Sequence, residues 1–170
     1  GREELIKENI HRYGITGADD LVIHNARRSK LNKDYIDLIY ERLHRRGVLR
    51  RDCQRMVNQD RNVFAACMVA NGDADGLVTG LTRSFNASFR QVMQVLGPKP
   101  DQRVMAVSMI VTGRRTIFIA DTNVHELPTA EQMADIAQQT AAKVRAWGHE
   151  PRVALVSYSN FGNPERPTNA

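Results

Sequence analysis

The chain has 170 residues, of which 42% are hydrophobic and 25% charged. That is enough for one large domain or two small ones with a sizeable core, and it excludes wholesale disorder. The net charge of +5 gathers in Arg27-Arg28, Arg45-Arg46 and Arg50-Arg51, but aromatic residues are only 6% and do not interleave with these arginines, so a nucleic-acid partner ranks last. A solvated or interdomain face is the first reading of the arginine pairs, and a patch for a phosphorylated ligand is the second.

In chain order, Glu3 to Tyr13 carries Leu5, Ile6 and Ile10 at helical spacing and ends at Gly14. Leu21-Val22-Ile23 is a short apolar run that predicts a strand. Tyr35, Leu38, Ile39, Arg42 and Leu43 follow helical spacing, with Gly47 suited to the end of that helix. Arg51 to Asn58 predicts a further short helix, and Asn62 to Ala70 is apolar on every side, so a buried helix is expected there. Leu77-Val78, bracketed by Gly72, Gly76 and Gly80, predicts a buried strand ending in a tight turn.

Ser84 is placed to cap a helix that Gly97-Pro98 stops. Val104 to Val111 and Thr116 to Ala120, joined by Thr112-Gly113-Arg114-Arg115, form a hairpin signal. Asp121 to Leu127 reads as a polar loop, with Pro128 where a first helical turn begins. Thr129 is placed to cap an alanine-rich helix through Trp147, and Val153 to Val156 predicts a last strand. This alternation predicts an α/β fold with a mixed, largely parallel sheet. Residues 1–70 are expected to form a mostly helical first subdomain with one strand, and 71–170 a second α/β subdomain. Gly97 to Arg103 is the nearest thing to a linker and is short for one.

No apolar run approaches the roughly 20 residues that cross a bilayer, and no signal peptide opens the chain, so a cytoplasmic protein without membrane attachment is expected. Cys53 and Cys67 lack a C-x-x-C arrangement or a nearby histidine pair and read as reduced thiols within helices. No histidine has a partner at metal-ligand spacing, and no dinucleotide fingerprint or nucleophile elbow occurs. His125 beside Glu126 suggests a general base, but a surface loop histidine is the plainer reading. Asp73 and Asp75 read as turn-forming residues.

Two segments remain as ligand candidates. One is the turn after Leu77-Val78, with Thr79, Gly80, Thr82, Arg83 and, further along, Arg90. The other is the loop after the last strand, with Tyr158, Ser159 and Asn160. Hydroxyls, an amide and guanidinium groups suit a phosphorylated or carboxylated ligand. Neither segment offers an evident general base, so binding is easier to support than catalysis, and a plain strand–turn–helix junction with packing glycines is the alternative.

Gly72-Asp73-Ala74-Asp75-Gly76-Leu77-Val78-Thr79-Gly80 with Arg90 resembles the phosphate acetyltransferase (phosphotransacetylase) pattern of a glycine–acidic–Ala-Asp strand and a downstream arginine. Phe118-Ile119-Ala120-Asp121, Pro128-Thr129-Ala130-Glu131 and Glu150-Pro151-Arg152-Val153-Ala154 resemble that family's second conserved stretch, so the likeness spans nearly the whole chain. Thr82-Arg83-Ser84-Phe85-Asn86-Ala87 and the tail Ser159-Asn160-Phe161-Gly162-Asn163-Pro164 depart from the catalytic members. With Ile119 to Val124, the tail is similar to the acetyltransferase-like C-terminal domain of large bacterial NADP-dependent malic enzymes.

The resemblance implies a three-layer αβα, phosphotransacetylase-like fold, of which this chain is a fragment. It implies a non-catalytic domain that binds acetyl-CoA and tunes malate decarboxylation by a separate N-terminal part, which would hold NADP and a divalent metal. Arg90 matches the family arginine that contacts substrate, and a second family arginine falls near Arg42-Leu43. Arg90 and Arg83 would pair with coenzyme phosphates, while Thr79 and the Ser159-Asn160 loop would meet the pantetheine or acetyl end. No catalytic residue and no metal ligand is carried over, and self-association into a homo-oligomer is implied. An active phosphate acetyltransferase is the alternative, and an oligomer-holding module is compatible with either.

Overall fold

Helices dominate the first 97 residues because apolar side chains recur there at three- and four-residue spacing. The computed structural model describes residues 1–156. Its helices are α1 (Glu3–Arg12), α2 (Asn32–Leu43), α3 (Arg50–Gln59), α4 (Arg61–Asn71) and α5 (Phe85–Val95), with a 3₁₀ turn at His44–Arg46 after α2. All five lie where the sequence predicts helices, α1 and α2 from apolar spacing, α4 from its all-round apolar composition and α5 from its Ser84 cap. Gly47 (φ +80°) and Gly72 (φ +82°) end their helices in the left-handed region, where a side chain is strained. Among the described residues no helix is long and apolar enough to cross a membrane.

The core of this unit is built from one face each of α2 and α3, most of α4, and the end of α5. Tyr35, Ile39, Val57, Val63, Cys53, Cys67 and Val95 are fully buried, and each large apolar side chain withdrawn from water contributes about 1.5–3 kcal/mol. Tyr35 meets Phe64 edge-on with ring centroids 5.2 Å apart. Its hydroxyl donates to Asp73 Oδ2 at 2.7 Å, and Asn71 Nδ2 donates to the same oxygen at 2.9 Å. Asp73 thus ties the segment after α4 to α2, and the Asn71 and Tyr35 donors hold its carboxyl below the usual value. Burial, with the Asp73 bond second, pushes the Tyr35 phenol up. Both cysteines are free and buried, and burial pushes the Cys67 thiol up to about 12, so it stays protonated.

The expected strands at 21–23 and 77–78 do not form. Among the described residues both stretches run without ladder partners, Leu21 and Val22 are exposed, and Val78 is fully so. Two or three apolar residues satisfy the composition of a strand, but a strand exists only where another pairs with it. Val153 to Val156 likewise pairs with no strand among the described residues, with Val153, Leu155 and Val156 exposed.

From Pro98 onward the chain forms a second compact unit. The division therefore falls at Gly97/Pro98 and not at 70/71, in the stretch judged short for a linker. Packing of α5 on α4 and α2 keeps the glycine-bracketed segment with the first unit. The hairpin is present: β1 (Val107–Val111) and β2 (Thr116–Ala120) pair antiparallel, from Val107 opposite Ala120 to Val111 opposite Thr116. Arg115 N–H donates to Thr112 Oγ1 at 3.1 Å and Thr112 N–H to the Arg115 carbonyl at 2.8 Å, closing the turn. Helix α6 (Ala130–Ala146) starts at a capping box between Thr129 and Gln132, so Pro128 lies just before the cap and not in the first turn. Phe118 of β2 stacks on Trp147 at 5.5 Å. The chain is α/β as expected, but among the described residues the hydrogen-bonded sheet is this antiparallel pair and no parallel ladder is present.

Candidate functional site

Asp60 begins the site because it begins a helix. Its Oδ1 accepts from the backbone N–H of Asn62 at 2.9 Å and of Val63 at 3.3 Å, capping α4. Its other oxygen accepts from Arg83 Nη1 at 2.7 Å and Gln91 Nε2 at 2.5 Å. Gln91 Oε1 in turn accepts from Arg83 Nη1 at 2.7 Å and from Asn62 Nδ2 at 2.8 Å. Asn62 Oδ1 accepts from Thr79 Oγ1 at 2.6 Å, and Arg61 Nη2 bonds Thr82 Oγ1. Asn62 is buried and opens an apolar helix, and a buried amide there must find partners.

This network brings together Thr79, Thr82 and Arg83 of the expected site. It adds Asp60, Arg61, Asn62 and Gln91, which the sequence reading missed. A capping aspartate before an apolar run was the available signal for Asp60; nothing local pointed to Gln91. Gly80 takes φ +142°, open to glycine, and Thr82 N–H donates back to the Gly80 carbonyl at 2.8 Å. Arg83 is half-buried, with its guanidinium held by Asp60 and Gln91. The Asp60 carboxylate already accepts four hydrogen bonds, so the arrangement orients the turn.

Arg90 is not part of this network. It is exposed on α5, in a shallow groove of about 500 Å³ that it shares with Arg46, Phe89 and Met93. Arg42 reaches toward Gly97. Tyr158, Ser159 and Asn160 lie outside the described residues.

The second unit holds a polar centre of its own. Asp121 Oδ1 accepts from the backbone N–H of Ala106 (3.1 Å), Asn123 (3.0 Å) and Val124 (3.1 Å). Its Oδ2 accepts from His125 N–H at 3.1 Å and pairs with His125 Nδ1 at 2.6 Å. Burial opposes the charge, but the donors of Asn123, His125, Val124 and Ala106 outweigh it and hold the Asp121 carboxyl down at about 2. His125 is therefore not the surface histidine expected: its side chain is 19% exposed and oriented by a carboxylate. Among the described residues nothing bonds its Nε2, so the pair fastens the loop after β2.

The family described as Phosphate acetyl/butaryl transferase matches residues 1–170. The chain belongs to that family. As a phosphate acetyl/butaryl transferase relative it is 48% identical over 165 residues to the NADP-dependent malic enzyme of Rhizobium meliloti (strain 1021), covering 96% of this chain and 22% of that protein. It is 33% identical over 159 residues to the phosphate acetyltransferase of Nitrosomonas europaea, covering 93% of this chain and 22% of that protein. The structure of EutD phosphotransacetylase from Staphylococcus aureus matches with a TM-score of 0.81 at 22% identity, over 98% of this chain and 50% of that one. The chain thus has the phosphotransacetylase-like α/β fold, and it corresponds to a segment of malic enzymes that are far longer than itself.

Proposed function

We propose that this chain is the acetyl-CoA-binding regulatory domain of an NADP-dependent malic enzyme and transfers no acetyl group itself. The observation that carries the reading is the higher identity to a malic enzyme, 48% against 33% for an acetyltransferase, over nearly the same stretch. The closed network around Asp60 supports it, because a turn whose carboxylate and arginine already satisfy one another suits positioning better than proton transfer.

In this reading the exposed Arg90 pairs with a coenzyme phosphate. Arg83 fixes the turn that presents Thr79, Gly80 and Thr82, and Tyr158, Ser159 and Asn160 meet the acyl end. NADP and the divalent metal belong to the separate part that oxidises malate, and the whole protein is a cytoplasmic homo-oligomer. Acetyl-CoA shifts that part between more and less active states by binding one of them more tightly. Excising the domain from the whole malic enzyme is expected to abolish the acetyl-CoA response while malate oxidation, followed by NADPH absorbance, persists. An unchanged response in the excised enzyme contradicts the reading.

A second reading, transfer of acetyl between CoA and phosphate, is favoured by the 33% identity to an acetyltransferase over 93% of the chain. Acetyl phosphate formed by the whole protein at ordinary enzyme rates, about 1–10³ s⁻¹, would establish it.

A further inference from the structure

We propose that the cleft between α1, the 23–31 loop and the start of α4 binds an anion carrying at least two phosphoryl groups. The proposal stands whether or not acetyl-CoA is the regulator, because the ligand is defined by phosphoryl charge alone. The cleft has a volume of about 1470 Å³, above the roughly 300–1,000 Å³ of most small-molecule pockets, so it has room for a multi-group ligand.

Arg27, Arg28 and Lys30 project from the loop and Arg61 from α4, all on the cleft wall. Among the described residues none of these four has a carboxylate partner, whereas the carboxylate of Glu3 on the opposite wall is taken up by Lys7 at 2.7 Å. The cleft lining also carries Glu3 and Glu4 against Arg2, Lys7, Arg27, Arg28, Lys30 and Arg61, so six cations face two carboxylates, and an anion of matching charge relieves the excess. Guanidinium forks further suit phosphoryl oxygens, which they bind in pairs.

The loop that carries them is held in place. Asn25 Oδ1 accepts from Arg27 N–H at 3.1 Å, and its carbonyl from Arg28 N–H at 2.9 Å. Asn32 Nδ2 donates to the Ala26 carbonyl at 2.6 Å and to Asn58 Oδ1 at 2.9 Å, pinning the loop to α3. Such preorganisation lowers the ordering cost of binding. Arg61 also bonds Thr82, so the cleft adjoins the turn that carries Thr79 and Arg83. Among the described residues no Phe, Tyr or Trp lines the cleft and His24 is its one aromatic ring, which leaves little of the stacking surface that single-stranded nucleic acid uses.

The test is calorimetric titration of the 170-residue chain with inorganic pyrophosphate. Saturable binding is expected, and Arg27→Gln/Arg28→Gln should weaken it at least about tenfold, the loss of charge-assisted hydrogen bonds. Both arginines are exposed or half-exposed on the loop, so an unchanged melting temperature is expected as the folding control. Arg114→Gln/Arg115→Gln, on the exposed hairpin turn of the other unit, removes the same charge and should change affinity by less than about twofold.

Equal weakening by both double variants, or no saturable binding to the unaltered chain, overturns the proposal. A single-stranded oligonucleotide that binds more tightly than pyrophosphate and loses as much in the loop variant also overturns it. Displacement of pyrophosphate by coenzyme A assigns the phosphoryl groups to a coenzyme, and failure of displacement assigns them to a free diphosphate.

Discussion

Asp121→Asn is expected to destabilise the chain by about 2–4 kcal/mol, because it replaces an acceptor that is hydrogen-bonded on both oxygens by a group with donors on one side. The amide nitrogen would face either the N–H groups of Ala106, Asn123 and Val124 or those of His125. The Asp121 side chain is 2% exposed, so water cannot relieve the conflict. Trp147, the single tryptophan of the chain, stacks on Phe118 in the same unit, so its fluorescence reports the urea transition of that unit.

The wild-type carboxyl carries a matching pH dependence. Its folded value, about 2, lies below the ordinary 3.8. The contribution is therefore present above the ordinary value and lost as pH falls toward the folded one, amounting to about 2 kcal/mol. The Asp121→Asn variant should lack that acid-dependent component between those two values. Stability within about 0.5 kcal/mol of wild type at neutral pH would contradict the assignment of Asp121 as the fastening point of the loop.

Asp60→Ala is expected to cost a similar amount, about 2–4 kcal/mol, and to act on the first unit. Loss of the α4 cap accounts for about 1 kcal/mol. The remainder comes from leaving the half-buried Arg83 guanidinium and the Gln91 amide without their acceptor, at about 1–3 kcal/mol. Helix α4 supplies Val63, Phe64, Ala66 and Cys67 to the core, so fraying at its start reaches buried groups. Asp60→Asn keeps an oxygen for the cap and loses the charge, and its cost should fall between the two. Amide hydrogen exchange resolves the effect: protection should fall in the first turn of α4 and around Thr79 in the alanine variant. Exchange unchanged at both places contradicts a network that orients the turn.

The helices of this chain were legible in its sequence because their information is local. Apolar spacing marks α2, an all-round apolar run marks α4, and Ser84 and Thr129 mark the starts of α5 and α6. The hairpin was equally legible, since its turn and both strands are adjacent in the chain. The strands at 21–23, 77–78 and 153–156 were misread because pairing is a property of two segments, and an apolar run identifies only one.

The candidate site divides along the same line. Thr79, Thr82 and Arg83 could be singled out by residue type beside a glycine turn. Their partners could not: Asp60 lies 23 residues before Arg83 and 31 before Gln91. His125 and Asp121 are four apart, a spacing open to inspection, yet whether such a pair is buried depends on the chain before β1 folding over it through Ala106.

The most direct test of the central claim, a domain that holds an acyl-coenzyme without reacting it, is one solution assayed two ways. Acetyl-CoA is titrated into the whole protein that contains this chain with phosphate present, binding is followed by the change in malate oxidation, and acetyl phosphate is measured in the same samples. Saturable change in oxidation with no acetyl phosphate above the enzyme-free control is the expected result. Acetyl phosphate accumulating with turnover, or oxidation indifferent to acetyl-CoA at every concentration, contradicts it.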